Sequence, residues 1–288
     1  MRYTTIDYRK RVFNAMNYIS KNIKRDLSLE EIASAASFSM YHFHRIFKAV
    51  TGETVADFTR RLRLETAANQ LFGQSFNITE IAMDCGFSSS QNFARAFRQN
   101  FGMSPSEYRA SQLRRGEWVL SANDLPKNRN VNIDAEIKEL PEYTVAYVRR
   151  LDPYNTETCA PAFAELTAWA AGRGYILPGK VLAIYWDNPE VTPPKRCRFD
   201  ACIIVPDGTP SDDQIFTQKL SGGLYAVCHF ELSPENIAQA WEDTFIWICN
   251  NGCECSYTPG YELYLNNAAD HPEGKWIFDI CIPLKTEM

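Results

Sequence analysis

The sequence predicts two domains. An all-α domain with two helix-turn-helix units spans residues 1–112, and an α+β domain built from two strand-strand-helix-strand-strand repeats spans 133–288. Three observations carry this reading. In the N-terminal part, "SLEEIASAASFS" (28–39) aligns with "NITEIAMDCGFS" (77–88) at an offset of 49, and "HRIFKAVTGETVADF" (44–58) with "ARAFRQNFGMSPSEY" (94–108) at an offset of 50. In the C-terminal part, "RFDACIIV" (198–205) aligns with "IFDICIPL" (277–284) at an offset of 79. Charge also changes sign along the chain: residues 1–115 carry 17 Lys+Arg against 10 Asp+Glu, and residues 116–288 carry 13 against 25. Fixed-offset self-similarity marks duplicated supersecondary units, and the charge split suggests that only the first part meets a polyanion.

Each N-terminal copy reads as helix, tight turn, helix. Ser28 and Glu31 form a capping box, and Asn77 and Glu80 repeat it. The turns are "ASFS" and "CGFS". Gly86 suits a turn residue of positive φ, and Ser37 takes the same place less comfortably. In the second helices, Phe43, Ile46, Phe47 and Val50, and Phe93, Ala96, Phe97 and Phe101, have inward-facing helical spacing. That leaves Met40, Tyr41, His44, Arg45 and Lys48 outward in copy one, and Ser90, Gln91, Ala94, Arg95 and Arg98 in copy two. Arg and Gln make bidentate contacts to base edges, while Lys48 and Arg98 sit further along and suit phosphates. The alternative is a solvated basic face. Between the copies, "TVADFTRRLRLETAANQLFGQS" predicts a helix of about five turns that holds the units apart. Arg60, Arg61 and Arg63 are expected on or near its outer face, within reach of phosphates. A rigid pair of units suits two neighbouring major-groove segments on one face of a DNA duplex.

Residues 113–132 lack a clear period and read as a linker. Beyond them, strands are expected at 144–151, 198–205, 223–232 and 277–284. Helices are expected at 158–172, with Trp169, and at 235–251, with Trp241 and Trp247. Two such halves would join sheets and form a groove between their helices. In "GYELYLNN" Glu262 interrupts an aromatic and aliphatic strand pattern, and its repeat counterpart is Ala183, so the duplicated scaffold does not itself require a carboxylate there. Nearby aromatics are expected to include Tyr264, Trp186, Trp241 and Trp247. A carboxylate behind an aromatic wall suits an apolar, cationic ligand. The alternatives are a strand-edge Glu in water or one paired with a structural Arg.

Other function classes find little support. Apolar residues make up 45% and charged residues 23%, a folded rather than disordered composition. There is no apolar run of membrane-spanning length and no signal-peptide core, so a cytoplasmic location is expected. Nine irregularly spaced cysteines fit reduced thiols. Cys249, Cys253 and Cys255 lie close together, but a thiolate metal site would need a fourth ligand, and neither spacing is a recognised zinc pattern. Cys202 and Cys281 read as core packing, and Asp200 and Asp279 as structural hydrogen bonders. No Gly-rich phosphate loop or Ser nucleophile elbow appears. No cofactor, metal or catalytic activity is expected.

Residues 8–112 resemble the DNA-binding domain of the AraC family of transcription regulators. The carrying residues are "LEEIASAASFSMYHFHRIFKAVTG" and "ITEIAMDCGFSSSQNFARAFRQNFGMSPSEYR". The resemblance implies seven helices, with base-reading positions at Tyr41, His44, Arg45, Ser90, Gln91 and Arg95. Residues 133–286 resemble the GyrI-like effector-binding domain through "GKVLAIYWDNPEVTPPKRCRFDACIIV" and "GYELYLNN". The pairing resembles the Rob class of activators. It implies a double-stranded promoter site and RNA polymerase as partners, and a bulky hydrophobic, cationic ligand that meets the Glu at position 262. Relatives without a DNA reader resemble small-molecule hydrolases, so Glu262 as a general acid/base is the alternative. A regulator controlled by partner proteins, with a vestigial pocket, is a further one.

Overall fold

The computed structural model describes residues 5–71, 77–115, 131–212, 215–256 and 258–285, without the side chains of residues 5–7, 41 and 112–115. The chain divides into two compact units, Met1–Leu125 and Pro126–Met288.

The first unit is helical: α1 (Thr5–Lys21), α2 (Leu29–Ala35), α3 (Met40–Thr51), α4 (Val55–Leu71), α5 (Ile78–Asp84), α6 (Ser90–Phe101) and α7 (Pro105–Arg115). Helix α7 therefore runs three residues into the predicted linker, and residues 116–130 of that linker lie outside the described residues. Both capping boxes form. Ser28 Oγ accepts from the Glu31 N–H at 3.1 Å and Glu31 returns a carboxylate oxygen to the Ser28 N–H at 3.0 Å; Asn77 and Glu80 do the same around α5. Four orphan N–H groups are thereby satisfied. The turns after α2 and α5 share one bonding pattern. The Phe38 N–H reaches Ala33 O and the Ser37 N–H reaches Ser34 O, as Phe87 reaches Ala82 and Gly86 reaches Met83. This Schellman closure needs a left-handed residue at position 37 or 86. Gly86 has φ +75°, and Ser37, at φ 55°, is the one non-glycine with positive φ among the described residues.

Inward aromatics repeat as well. Phe43, Phe47 and Phe58 are fully buried, with Phe47 edge-on to Phe58 at 5.4 Å between centroids; Phe97 meets Tyr108 in the same manner at 5.3 Å. Each such side chain contributes roughly 2–3 kcal/mol of burial.

The second unit comprises β1 (Asp134–Leu140), β2 (Tyr143–Leu151), α8 (Thr156–Ala171), β3 (Val181–Tyr185), β4 (Arg198–Val205), β5 (Phe216–Leu220), β6 (Gly223–Leu232), α9 (Ile237–Asn250), β7 (Tyr261–Tyr264) and β8 (Trp276–Pro283). This is strand-strand-helix-strand-strand twice over. The strands form one antiparallel sheet in the order β1-β6-β8-β7-β3-β4-β2-β5. Exchanging each strand for its repeat counterpart reverses that order, so the halves are related by a pseudo-two-fold axis between β3 and β7. Ala183 pairs with Glu262 there, and the two are 79 residues apart, so the axis passes between a residue and its own repeat equivalent. Strands β1 and β5 each pair into the opposite half, which knits the halves into one sheet. Alternation puts Ala183, Tyr185, Phe199, Glu262, Tyr264, Phe278 and Ile280 on the face that carries both helices. The opposite face buries Arg149 and Asp200 as a bidentate pair at 2.6 Å. Asp200 also accepts from Trp186 Nε1 and Gln218 Nε2, as expected of a structural hydrogen bonder.

Ser37→Gly is expected to stabilise the protein by about 0.5–1 kcal/mol by releasing left-handed strain. Gly86→Ala, which adds that strain and a collision, is expected to cost about 2 kcal/mol or more. Urea melts of the two variants check both signs.

Candidate functional site

In the first unit the outward faces of α3 and α6 stand as the alternation of core contacts dictates. His44, Arg45, Lys48, Gln91, Arg95 and Arg98 are exposed, and Ser90 is partly exposed at the first residue of α6. Tyr41 lies on α3, but its side chain is outside the described residues. Among the described residues no hydrogen bond or ion pair holds the side chains of Arg45, Lys48 or Arg95, so all three donor groups are available to a ligand. Equivalent positions on two helices thus present Arg45 and Arg95 at an offset of 50, with Lys48 and Arg98 one turn further along.

Two expected phosphate contacts are corrected. Arg61 is buried, not outward. Its Nη2 donates to Glu53 at 2.6 Å, its Nη1 donates to Glu65 at 3.0 Å, and its guanidinium lies over the Phe58 ring. Arg63 donates to the carbonyls of Ile23 and Arg25. Arg60 alone of the three is exposed.

In the second unit Glu262 is fully buried at the centre of the helix-bearing face. Three neutral donors meet its carboxylate: Trp241 Nε1 at 2.7 Å on one oxygen, and the hydroxyls of Tyr264 at 2.5 Å and Tyr185 at 3.1 Å on the other. Tyr185 and Tyr264 are repeat equivalents, so the pseudo-two-fold axis delivers one tyrosine from each side. The helices repeat the arrangement: the buried stripes Ala162, Leu166, Ala170 and Ala240, Thr244, Ile248 align in sequence at an offset of 78, which equates Phe163 with Trp241. Phe163 packs on Tyr264 at 5.9 Å and Trp241 on Tyr185 at 5.6 Å. Tyr154 and Trp276 extend the aromatic enclosure against Tyr185 and Tyr264.

Burial pushes the Glu262 carboxyl above the usual carboxylate range, and the hydrogen bonds from Tyr264, Trp241 and Tyr185 pull it partly back. Burial and the neighbouring Glu262 charge hold both tyrosines well above their ordinary value, so they remain donors. Cys159 on α8 also feels Glu262; burial and that charge push its thiol up to about 11. Glu53, Glu65 and Asp200, the other buried acidic residues among those described, are each bound by an arginine, while no cationic side chain pairs with Glu262. Both bland expectations for this residue, a carboxylate in water or one paired with an arginine, are therefore excluded.

Of the predicted aromatics, Tyr264 and Trp241 are brought to Glu262. Trp186 is not. It follows Tyr185 in the strand alternation and so turns to the opposite face, where it donates to Asp200 and is flanked by Arg149 and Arg198. Trp247, six residues after Trp241 and on another side of α9, packs at the margin of the second-half core. Tyr185, Phe163 and Cys159 are site neighbours the sequence reading did not select. The equivalence of Tyr185 with Tyr264 was the signal available for the first. Among the described residues no group of three or more His, Cys, Asp or Glu side chains is arranged to hold a metal ion, and no helix is long and apolar enough to cross a membrane.

The family model for the GyrI-like small molecule binding domain matches residues 134–285, and a helix-turn-helix domain model matches residues 23–111. The chain is similar to the HTH-type transcriptional regulator YbfP of Bacillus subtilis, 37% identical over 102 residues that cover 35% of each protein, so the match spans about a third of that relative. It is also similar to regulatory protein SoxS of Escherichia coli, 34% identical over 104 residues, 36% of this chain and 97% of the relative. A third relative, the DNA gyrase inhibitor of Escherichia coli, is 28% identical over 154 residues, 52% of this chain and 96% of the relative.

The buried carboxyl makes stability depend on pH. Its folded value is raised above its unfolded one, so the folded state carries a charging cost at high pH that disappears once the pH falls below the unfolded value. Glu262→Gln is expected to be more stable than wild type at pH 8, with the advantage shrinking as pH falls through the raised carboxyl value toward the ordinary carboxylate range. Thermal melts across pH 4–8 check this, and a pH-independent difference contradicts it.

Proposed function

The chain belongs to the family of GyrI-like small molecule binding domains, here preceded by an AraC-type helix-turn-helix domain, and we propose that it is a transcription activator controlled by an apolar cation bound against Glu262. The observation that carries the ligand class is the missing counter-ion. A buried carboxylate with three neutral donors and, among the described residues, no basic partner is costly to keep ionised. Surrounding aromatic faces attract a cation, and a cation that enters supplies the absent charge. Trp241, partly exposed on α9, is the donor that comes from a helix, while Tyr185 and Tyr264 come from the sheet. Arg45, Gln91 and Arg95 read base edges in neighbouring major-groove segments, Lys48 and Arg98 hold phosphates, and RNA polymerase is the partner recruited.

A second reading draws on the same atoms. A carboxyl raised by burial and flanked by two tyrosine hydroxyls suits general acid/base chemistry on a small reactive molecule. Turnover of a ligand, abolished by Glu262→Gln, would favour that reading over sensing.

Arg45→Ala and Arg95→Ala are each expected to weaken binding to DNA selected from a random pool by roughly 10- to 100-fold, with unchanged melting temperature, because both side chains are exposed. Unaltered DNA affinity in both variants contradicts the assignment. For the ligand, tetraphenylphosphonium binding followed by tryptophan fluorescence is expected to tighten with rising pH as Glu262 ionises. It is expected to weaken at least about tenfold in Glu262→Gln, a loss of one partly desolvated charge contact. Equal binding by both proteins at every pH contradicts a charge-reading role.

A further inference from the structure

We propose that Arg63 is the positioning residue that fixes the spacing between the two recognition helices, and thereby the DNA spacing this protein accepts. The proposal rests on the reading of the first unit as a two-segment DNA binder. It starts from an asymmetry in the duplication. Positions 37 and 86 are equivalent left-handed turn residues, yet one is Ser and the other Gly.

The surroundings explain the difference. Ser37 is exposed. At Gly86 a Cβ would lie 2.8 Å from Arg63 Cζ and 2.8 Å from the carbonyl oxygen of Ile23. The turn of the second unit is thus pressed against the Arg63 guanidinium and the chain that leaves α1. Arg63 comes from the linking helix α4. It reaches back 40 and 38 residues, donating from Nε to Ile23 O at 3.1 Å and from Nη2 to Arg25 O at 2.5 Å. One side chain therefore joins three parts: the segment that leads into the first unit, the linking helix, and the turn that aims α6. Lys24 and Asp84 span the same junction at 3.5 Å, but both are about half exposed, so that bridge is weak.

A helix alone fixes a distance along its own axis. It leaves free the rotation of what is attached at its ends. The planar guanidinium, bound through two directed donors, removes that freedom. Lysine carries its three N–H donors on one nitrogen at the end of a flexible stem, so it can meet carbonyls but lacks the planar fork that fixes both bonds in one orientation.

The test uses the full chain and DNA selected by the wild type from a random pool. Binding is compared on that DNA and on versions with one base pair inserted between the two contacted segments. Wild type is expected to lose at least about tenfold on the inserted DNA, the size of losing one or more base contacts. In Arg63→Met the ratio between native and inserted DNA is expected to fall toward one, with Arg63→Lys intermediate. A general loss of stability or of positive charge lowers both affinities together and leaves the ratio alone. If Arg63→Met does not fold, Arg63→Lys and Gly86→Ala carry the comparison. Folded Arg63 variants that discriminate spacing as sharply as wild type overturn the proposal. Wild-type protein that selects no DNA overturns the reading beneath it.

Discussion

A carboxylate placed on the symmetry axis of a duplicated sheet has no equivalent to balance it. Ala183 and Glu262 face each other across β3 and β7, and they are the same position of the two repeats. A symmetric duplication would put two carboxylates side by side, where like charges in a buried site cannot both ionise. The small Ala183 side chain avoids that. What symmetry keeps is the surroundings: one tyrosine from each half reaches the same carboxylate oxygen. What it breaks is the third donor, because Trp241 carries an N–H and its equivalent Phe163 does not. The site therefore combines a doubled aromatic enclosure with a single acid.

The second unit spends arginines freely where charge is structural. Arg149 and Asp200 close on each other at 2.6 Å with no exposure, and Arg198 and Asp187 do likewise nearby. In the first unit Arg61 binds two buried glutamates. Against that background an acid held only by neutral hydroxyls and an indole is a deliberate vacancy of charge, and vacancies of this kind concentrate at binding and catalytic sites. The first unit breaks its own repeat in the same manner. A Cβ at Gly86 would meet Arg63 and the Ile23 carbonyl, whereas Ser37 in the equivalent turn is exposed.

Duplication made most of the fold legible. Offsets of 49, 50 and 79 residues located both helix pairs and the strands that flank Glu262, and inward aromatic spacing separated core from outward face on α3 and α6. Errors came where a partner was overlooked, four to eight residues away for Arg61 and about 40 for Arg63, or where parity was not counted. Arg61 and Arg63 look like a basic helix face locally, yet their partners are Glu53, Glu65 and two carbonyls some 40 residues upstream. Trp186 was misplaced by proximity. Counting from Ala183, which shares the face of Glu262, puts 185 toward the site and 186 away from it, as the Trp186–Asp200 bond records. Tyr185, by the same count and its equivalence to Tyr264, was within reach of the sequence. Cys159 was not, because it comes to Glu262 only through the packing of α8 on the sheet.

The most direct test is to watch the Glu262 carboxyl itself. Carbon-13 NMR of side-chain carboxyls through a pH titration, with Glu262→Gln for assignment, reports when this group ionises. In the free protein the account predicts titration above the ordinary carboxylate range, and a fall toward that range when tetraphenylphosphonium is bound. A carboxyl that titrates at the ordinary value, or one that the cation leaves unmoved, would contradict the claim that an unpaired charge on the axis is what this domain reads.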